Sequence, residues 1–216
     1  MTSRPSAARP RRTLAPWRTP DMAEGAVGAI ILARHGRPAL SRKVMLSAND
    51  YRRWWGEYEV LGLRSDQSAP EPLKALAQTA GAVLASTRRR SIETAEMVCA
   101  GRPFVSDPAL IEAPLPPPPW PDWLRLPPIV WGFVSRFAWW WFDLHGDEES
   151  KREAEKRADA VADRLAGMAA GGSDVLVLAH GFFNAMLARA LKRHGWRLTD
   201  NGGYSYWAAR RFEKRS

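Results

Sequence analysis

The chain has 216 residues, a net charge of +9 and a single cysteine, Cys99. That length suits one α/β domain with a tail and an insertion, and it can bury a core without disulfides or a structural metal. One cysteine excludes an intramolecular disulfide and a Cys-rich zinc site, and it suits a reducing, cytoplasmic setting.

Residues 1–25 are rich in Arg, Pro, Ser and Thr without periodicity, and read as a disordered basic leader rather than a signal peptide. Residues 26–216 read as the folded domain. Residues 27–33 form a continuous apolar run, the pattern of a strand buried on both faces, and they stop at Arg34-His35-Gly36-Arg37-Pro38. Asn49-Asp50 can cap a helix carrying Tyr51, Trp54, Trp55 and Tyr58, aromatics that read as packing. A helix is expected over Glu71–Thr79, with Leu73, Leu76 and Ala77 on one side. Ala82–Ser86 reads as a second strand, followed by Arg88-Arg89-Arg90 and a helix over residues 91–100. Phe104-Val105 is a third strand, leading to Asp107 and Leu110-Ile111-Glu112.

Residues 113–145 are unusual. Pro114 and Pro116 to Pro119 exclude regular structure, and Trp120, Trp123, Trp131, Trp139, Trp140 and Trp141 follow. Residues 129–144 have helical length but are apolar nearly all round, so the segment is expected to be covered on most sides. A charged helix is expected over residues 148–168, ended by Gly171-Gly172. Val175–Ala179 is a fourth strand ending at His180-Gly181, residues 182–191 a helix, and residues 204–210 a closing strand. Strands alternating with helices predict a three-layer α/β/α fold around a mainly parallel sheet.

In such sheets ligands bind at the carboxyl ends of the strands. Four of those ends carry polar groups: Arg34-His35, Arg90, Glu112 and His180. These are the types that phosphoryl transfer needs. A neutral imidazole can attack phosphorus and split one displacement into two. Guanidinium groups clamp the phosphoryl oxygens. A carboxylic acid can protonate the departing alkoxide and then activate water. No Walker loop, Rossmann glycine set or Gly-x-Ser-x-Gly elbow is present, and Cys99 lacks the Cys-x5-Arg loop of a cysteine phosphatase.

The four elements resemble the histidine phosphatase superfamily, the phosphoglycerate mutase-like proteins. Arg34-His35-Gly36 matches its signature, Arg90 with Thr94-Ala95 its second arginine, Leu110-Ile111-Glu112 its acid, and His180-Gly181 its second histidine. The resemblance implies a phosphoglycerate mutase-like fold and a phosphomonoester hydrolase of the histidine acid phosphatase type, needing neither cofactor nor metal. It makes His35 the phosphoryl acceptor and Glu112 the proton donor. Arg34, Arg90 and His180 would hold the phosphoryl group, His180 by donating to an oxygen. Arg37 could reach substrate, whereas Arg88 and Arg89 read as surface charge.

The chain departs from the mutase branch. Pro38 stands two residues after Gly36 where that branch has Ser or Thr, Asn184-Ala185 occupies the place of an arginine, and a Pro/Trp-rich insertion replaces Trp-Glu-Gly. Hydrolysis is therefore expected ahead of phosphoryl transfer to a second substrate; the alternatives are a mutase-like phosphotransferase and a non-catalytic member binding phospholigands or a membrane. The expected partner is a phosphorylated small molecule with an apolar or aromatic group. No nucleic-acid motif accompanies the charge, so nucleic acid is not expected. Residues 113–145 could form a lid, a peripheral membrane contact through 120–144, or a homodimer contact.

Overall fold

The computed structural model describes residues 27–215; the basic leader expected over residues 1–25 lies outside the described residues. Two apolar strands set the centre of the sheet. β1 (Ile30–Arg34) and β4 (Val175–Ala179) are buried almost throughout and pair in parallel, Ile30 opposite Val175 and Arg34 opposite Ala179. β2 (Ala82–Ser86) flanks β4 and β3 (Val105–Asp107) flanks β2, both in parallel. On the other side of β1 lies β6 (Ala209–Lys214), antiparallel, and then β5 (Trp196–Asn201) at the edge. The order is β3-β2-β4-β1-β6-β5, so the sheet is mostly parallel, as its apolar central strands predict.

Strand alternation sorts the core into two layers. Ile30, Leu32, Leu84, Val175 and Val177 face α5 (Lys151–Ala169) and α6 (Gly181–Arg193). Ile31, Ala33, Val83, Ala85, Leu176 and Leu178 face α2 (Glu71–Thr79) and α3 (Arg89–Cys99), where Cys99 is a small buried residue. A third cluster stands apart from both. It joins α1 (Ala48–Val60) to α4 (Pro128–Phe142) through Tyr51, Trp54, Tyr58 and Trp131.

Several boundaries move for local reasons. Ser47 caps α1, accepting from Asp50 N–H while Asp50 reaches back to the cap backbone, so Asp50 is the reciprocal partner rather than the cap. The same capping box, Ser150 with Glu153, starts α5 at Lys151 and not at residue 148. The closing strand expected over residues 204–210 is corrected to β6, and β5 was not foreseen. Residues 204–207 fold against β1 instead, with Trp207 N–H donating to the Arg34 carbonyl at 3.2 Å.

The expectation that residues 129–144 are covered on most sides is also corrected. α4 buries Trp131, Gly132, Ser135, Ala138 and Trp139, but Ile129, Phe133, Phe137, Trp141 and Phe142 face outward. Among the described residues no helix is long and apolar enough to cross a membrane.

Candidate active site

β1 and β4 are neighbours in register, so Arg34-His35 and His180 emerge side by side at the carboxyl edge of the sheet. The two imidazole centroids are 5.1 Å apart, edge to face, and both residues are buried. The strand ends are held from outside as well. His35 N–H donates to the Ala179 carbonyl at 2.9 Å, and Gly36 N–H donates to Thr94 Oγ1 at 3.0 Å, fixing the loop against α3. Asn184 Nδ2 on α6 donates to the Ala33 carbonyl at 3.0 Å, tying the second histidine's helix to the first histidine's strand.

The tautomer of His35 follows from its partner. Nδ1 lies 2.7 Å from the Gly36 carbonyl, which can only accept, so Nδ1 carries the proton and Nε2 carries the lone pair. Burial first, then the charges of Arg90, Arg34 and Arg42, hold this imidazole well below its ordinary value, against a smaller opposing contribution from the Gly36 carbonyl. It is therefore neutral at neutral pH and nucleophilic at Nε2. His180 is lowered in the same direction by burial, then by Arg90 and by His35, Arg88 and Arg34. Its Nε2 is 2.8 Å from Ser86 Oγ, at the end of β2. That hydroxyl also accepts from Arg88 N–H at 3.4 Å, and it can donate its own proton to Nε2, the arrangement that puts the His180 proton on Nδ1.

Three buried nitrogens around these rings have no hydrogen-bond partner among the described residues: Arg34 Nε, Arg90 Nε and His180 Nδ1. Buried donors are normally satisfied, and an oxyanion is the kind of partner that guanidinium and imidazole N–H groups take. Each guanidinium is otherwise anchored. Arg34 Nη1 donates to the Tyr204 carbonyl at 2.7 Å, and its Cζ sits 4.3 Å above the Tyr206 ring, which itself lies 5.7 Å from the His35 ring. Arg90 is fully buried; it donates to the Tyr58 carbonyl at 2.8 Å and pairs with the Glu59 carboxylate at 2.8 Å.

Three groups in this neighbourhood were not anticipated. Glu59 holds both Arg90 and Arg88, the latter at 2.6 Å, so Arg88 is no ordinary surface charge. Arg42 acts on His35 and lines the cavity beside Arg34. Tyr206 packs on Arg34 and His35. Only Arg42 left a trace in sequence, as a cation in the loop after Arg34-His35-Gly36; the other two arrive from an unremarkable helix and a loop.

Glu112 is placed differently from a free acid. Oε1 accepts from Phe183 N–H at 2.7 Å and Oε2 from Phe182 N–H at 3.3 Å, so the carboxylate caps α6 just beyond His180. It also lines a cavity of about 680 Å³ with Glu59 and Arg88. Arg37 is not brought in. It is exposed and lines a separate cavity with Arg64, Asp66 and Gln67.

Beside Arg34 a second cavity, about 490 Å³, is walled by Arg42, Tyr51, Trp54, Trp55, Phe133, Arg136 and Phe182. Trp55 lines both large cavities and stands between them. The helix-α1 aromatics expected to serve as packing do pack, and three of them also form this wall.

Solved structures with the same chain path include a phosphoglycerate mutase of Bacillus anthracis, 15% identical, covering 89% of this chain and 91% of that one, with a TM-score of 0.51. A phosphoserine phosphatase of Entamoeba histolytica is 14% identical over 84% of this chain and 93% of that one (TM-score 0.46). An ecdysone phosphate phosphatase of Bombix mori is 14% identical over 84% and 87% (TM-score 0.47). The likeness to the mutase, at this identity, speaks to the fold alone. No curated protein matches the chain. The pattern of the histidine phosphatase superfamily, branch 1, runs through residues 30–206, from the first residue of β1 to the tyrosine that packs on Arg34. The chain therefore belongs to the histidine phosphatase superfamily.

Proposed function

We propose that the protein hydrolyses phosphomonoesters through a phosphohistidine at His35. The observation that carries this reading is the tautomer: Nδ1–H is committed to the Gly36 carbonyl, which leaves Nε2 as a neutral, buried nucleophile among three guanidinium groups. In the first step the Nε2 lone pair attacks phosphorus, the ester P–O bond breaks, and the leaving alkoxide takes a proton from an acid. In the second, water attacks phosphorus, the P–N bond breaks, and the water's proton passes to the same group, now a base. Arg34, Arg90 and His180 Nδ1–H offset the charge that spreads over the equatorial oxygens. These donors supply that stabilisation, so the steps as written route through no metal.

Glu112 is the candidate acid and base. It faces the cavity that also holds Glu59 and Arg88, and its longer bond, Oε2 to Phe182 N–H at 3.3 Å, is the one that can be given up. The wall of Tyr51, Trp54, Trp55, Phe133 and Phe182 beside Arg34 supports an ester with an apolar or aromatic group.

Hydrolysis of p-nitrophenyl phosphate tests the proposal. His35→Ala should lower kcat by about 10³-fold or more. Acid-labile, alkali-stable phosphate should appear on the native protein during turnover and be absent from the variant. Equal rates in the two proteins would overturn the reading. Transfer of the labelled group to an added alcohol in preference to water would convert it to a phosphotransferase.

A further inference from the structure

We propose that α4 docks the protein on an anionic lipid surface. On this helix Ile129, Phe133, Phe137 and Trp141 recur at four-residue spacing, which places them in one row. These four and Phe142 are 58–70% exposed. Over its 15 residues α4 carries one charged side chain, Arg136, and no carboxylate. A solvent-facing helix is ordinarily polar on that side; single exposed apolar residues are common, but a contiguous row marks a contact surface. Beside the row an apolar depression of about 450 Å³ opens between Trp120, Phe137 and Leu144.

Charge decides between the possible occupants. The chain as a whole is +9, which draws it toward an anionic bilayer and repels a second copy of itself. Cations lie against two half-buried rings beside the row, Trp140 of α4 and Phe182 of α6. Lys151 Nζ is 4.2 Å from the centre of the Trp140 ring, Arg189 Cζ 4.8 Å from the same ring, and Arg136 Cζ 5.2 Å from that of Phe182. Long cationic side chains flanking an aromatic face are the arrangement of a helix lying in the headgroup region. Three exposed acids, Asp143, Asp147 and Glu148, follow the helix and oppose this attraction; Asp143 accepts from Lys151 N–H at 3.4 Å. The docking stands independently of the phosphatase reading.

Flotation with vesicles tests it, using phosphatidylcholine alone and with about 30 mol% phosphatidylglycerol. The native protein should float with the anionic vesicles and be released as salt rises from about 0.1 to 0.5 M. Phe137→Asp/Trp141→Asp should partition about 30-fold more weakly, since two aromatic anchors leave the interface. Val105→Asp, an exposed apolar residue of edge strand β3, should float like the native protein. Turnover of p-nitrophenyl phosphate by the double variant should match the native rate, which shows that it is folded. If both are inert, the catalytic reading fails and the flotation result still stands. Native protein that stays at the bottom of the anionic gradient would overturn the proposal, as would a double variant that floats undiminished. A native dimer that the double variant turns to monomer, with no vesicle binding, would overturn it in favour of a self-interface.

Discussion

Glu59→Gln is the sharpest probe of how the site is held together. Glu59 is one carboxylate between two guanidinium groups: Arg90, whose side chain is fully buried, at 2.8 Å, and Arg88 at 2.6 Å. Removing one member of a buried pair costs about 3–5 kcal/mol, because the partner's charge is left uncompensated. Here the Glu59 side chain is 15% exposed and the amide keeps an acceptor for Arg90, so the expected loss is about 2–3 kcal/mol. In a domain of this size that is a fall in Tm of about 4–12 °C. The second half of the prediction concerns phosphate. At 100 times its Kd any bound anion adds about 2.7 kcal/mol. In the variant the uncompensated Arg90 meets that anion, so phosphate should stabilise Glu59→Gln more than the native protein, by about 1 kcal/mol or more. Urea titrations with and without phosphate read both halves. A variant as stable as the native protein in plain buffer, or one that gains less from phosphate, would refute the assignment of Arg90 to the anion site.

Acid should destabilise the fold through the two imidazoles. Both fold with values lowered below the ordinary 6.5, so between their folded values and 6.5 the unfolded chain binds more protons. Their contribution is complete above about pH 6.5 and is lost as pH falls below it, by up to about 2.7 kcal/mol per pH unit for the pair. His180→Asn should roughly halve that slope in urea titrations between pH 7 and 5; an unchanged slope would count against it. Gly181→Ala is expected to act on Arg34, because the new methyl would lie 3.2 Å from its Cζ and Nε. The bond to Tyr204 and the stack on Tyr206 resist retreat, so kcat/KM should drop about 10-fold while the urea midpoint barely moves. Native kcat/KM in this variant would place Arg34 away from the reacting group.

Most of the sheet is legible in the sequence because its central strands are buried on both faces and read as unbroken apolar runs. Residues 30–34 and 175–179 are too short for a helix and are each followed directly by a histidine. The edge is less legible. β5 holds Arg197, Asp200 and Asn201 facing solvent and a register shift between Leu198 and Asp200, so no alternation survives to be read. Residues 204–207, three of them aromatic, look more like a strand than β6 does and are drawn to Arg34 and His35 instead. Site residues on strand ends announce themselves by motif. Glu59 does not: on α1 it looks like one more surface carboxylate, and only the fold sets it against a fully buried Arg90. Glu112 shows the limit of position as a guide, since its place after β3 was legible and its bonds to α6 were not.

The hydrogen bond from His35 to Gly36 is made to main chain rather than to a side chain. No substitution at another position can remove that acceptor, and no change of pH can titrate it. In the proposed reaction, reactivity is thereby inherited from the path of the polypeptide, and the surrounding walls are free to diverge while His35 Nε2 keeps its lone pair.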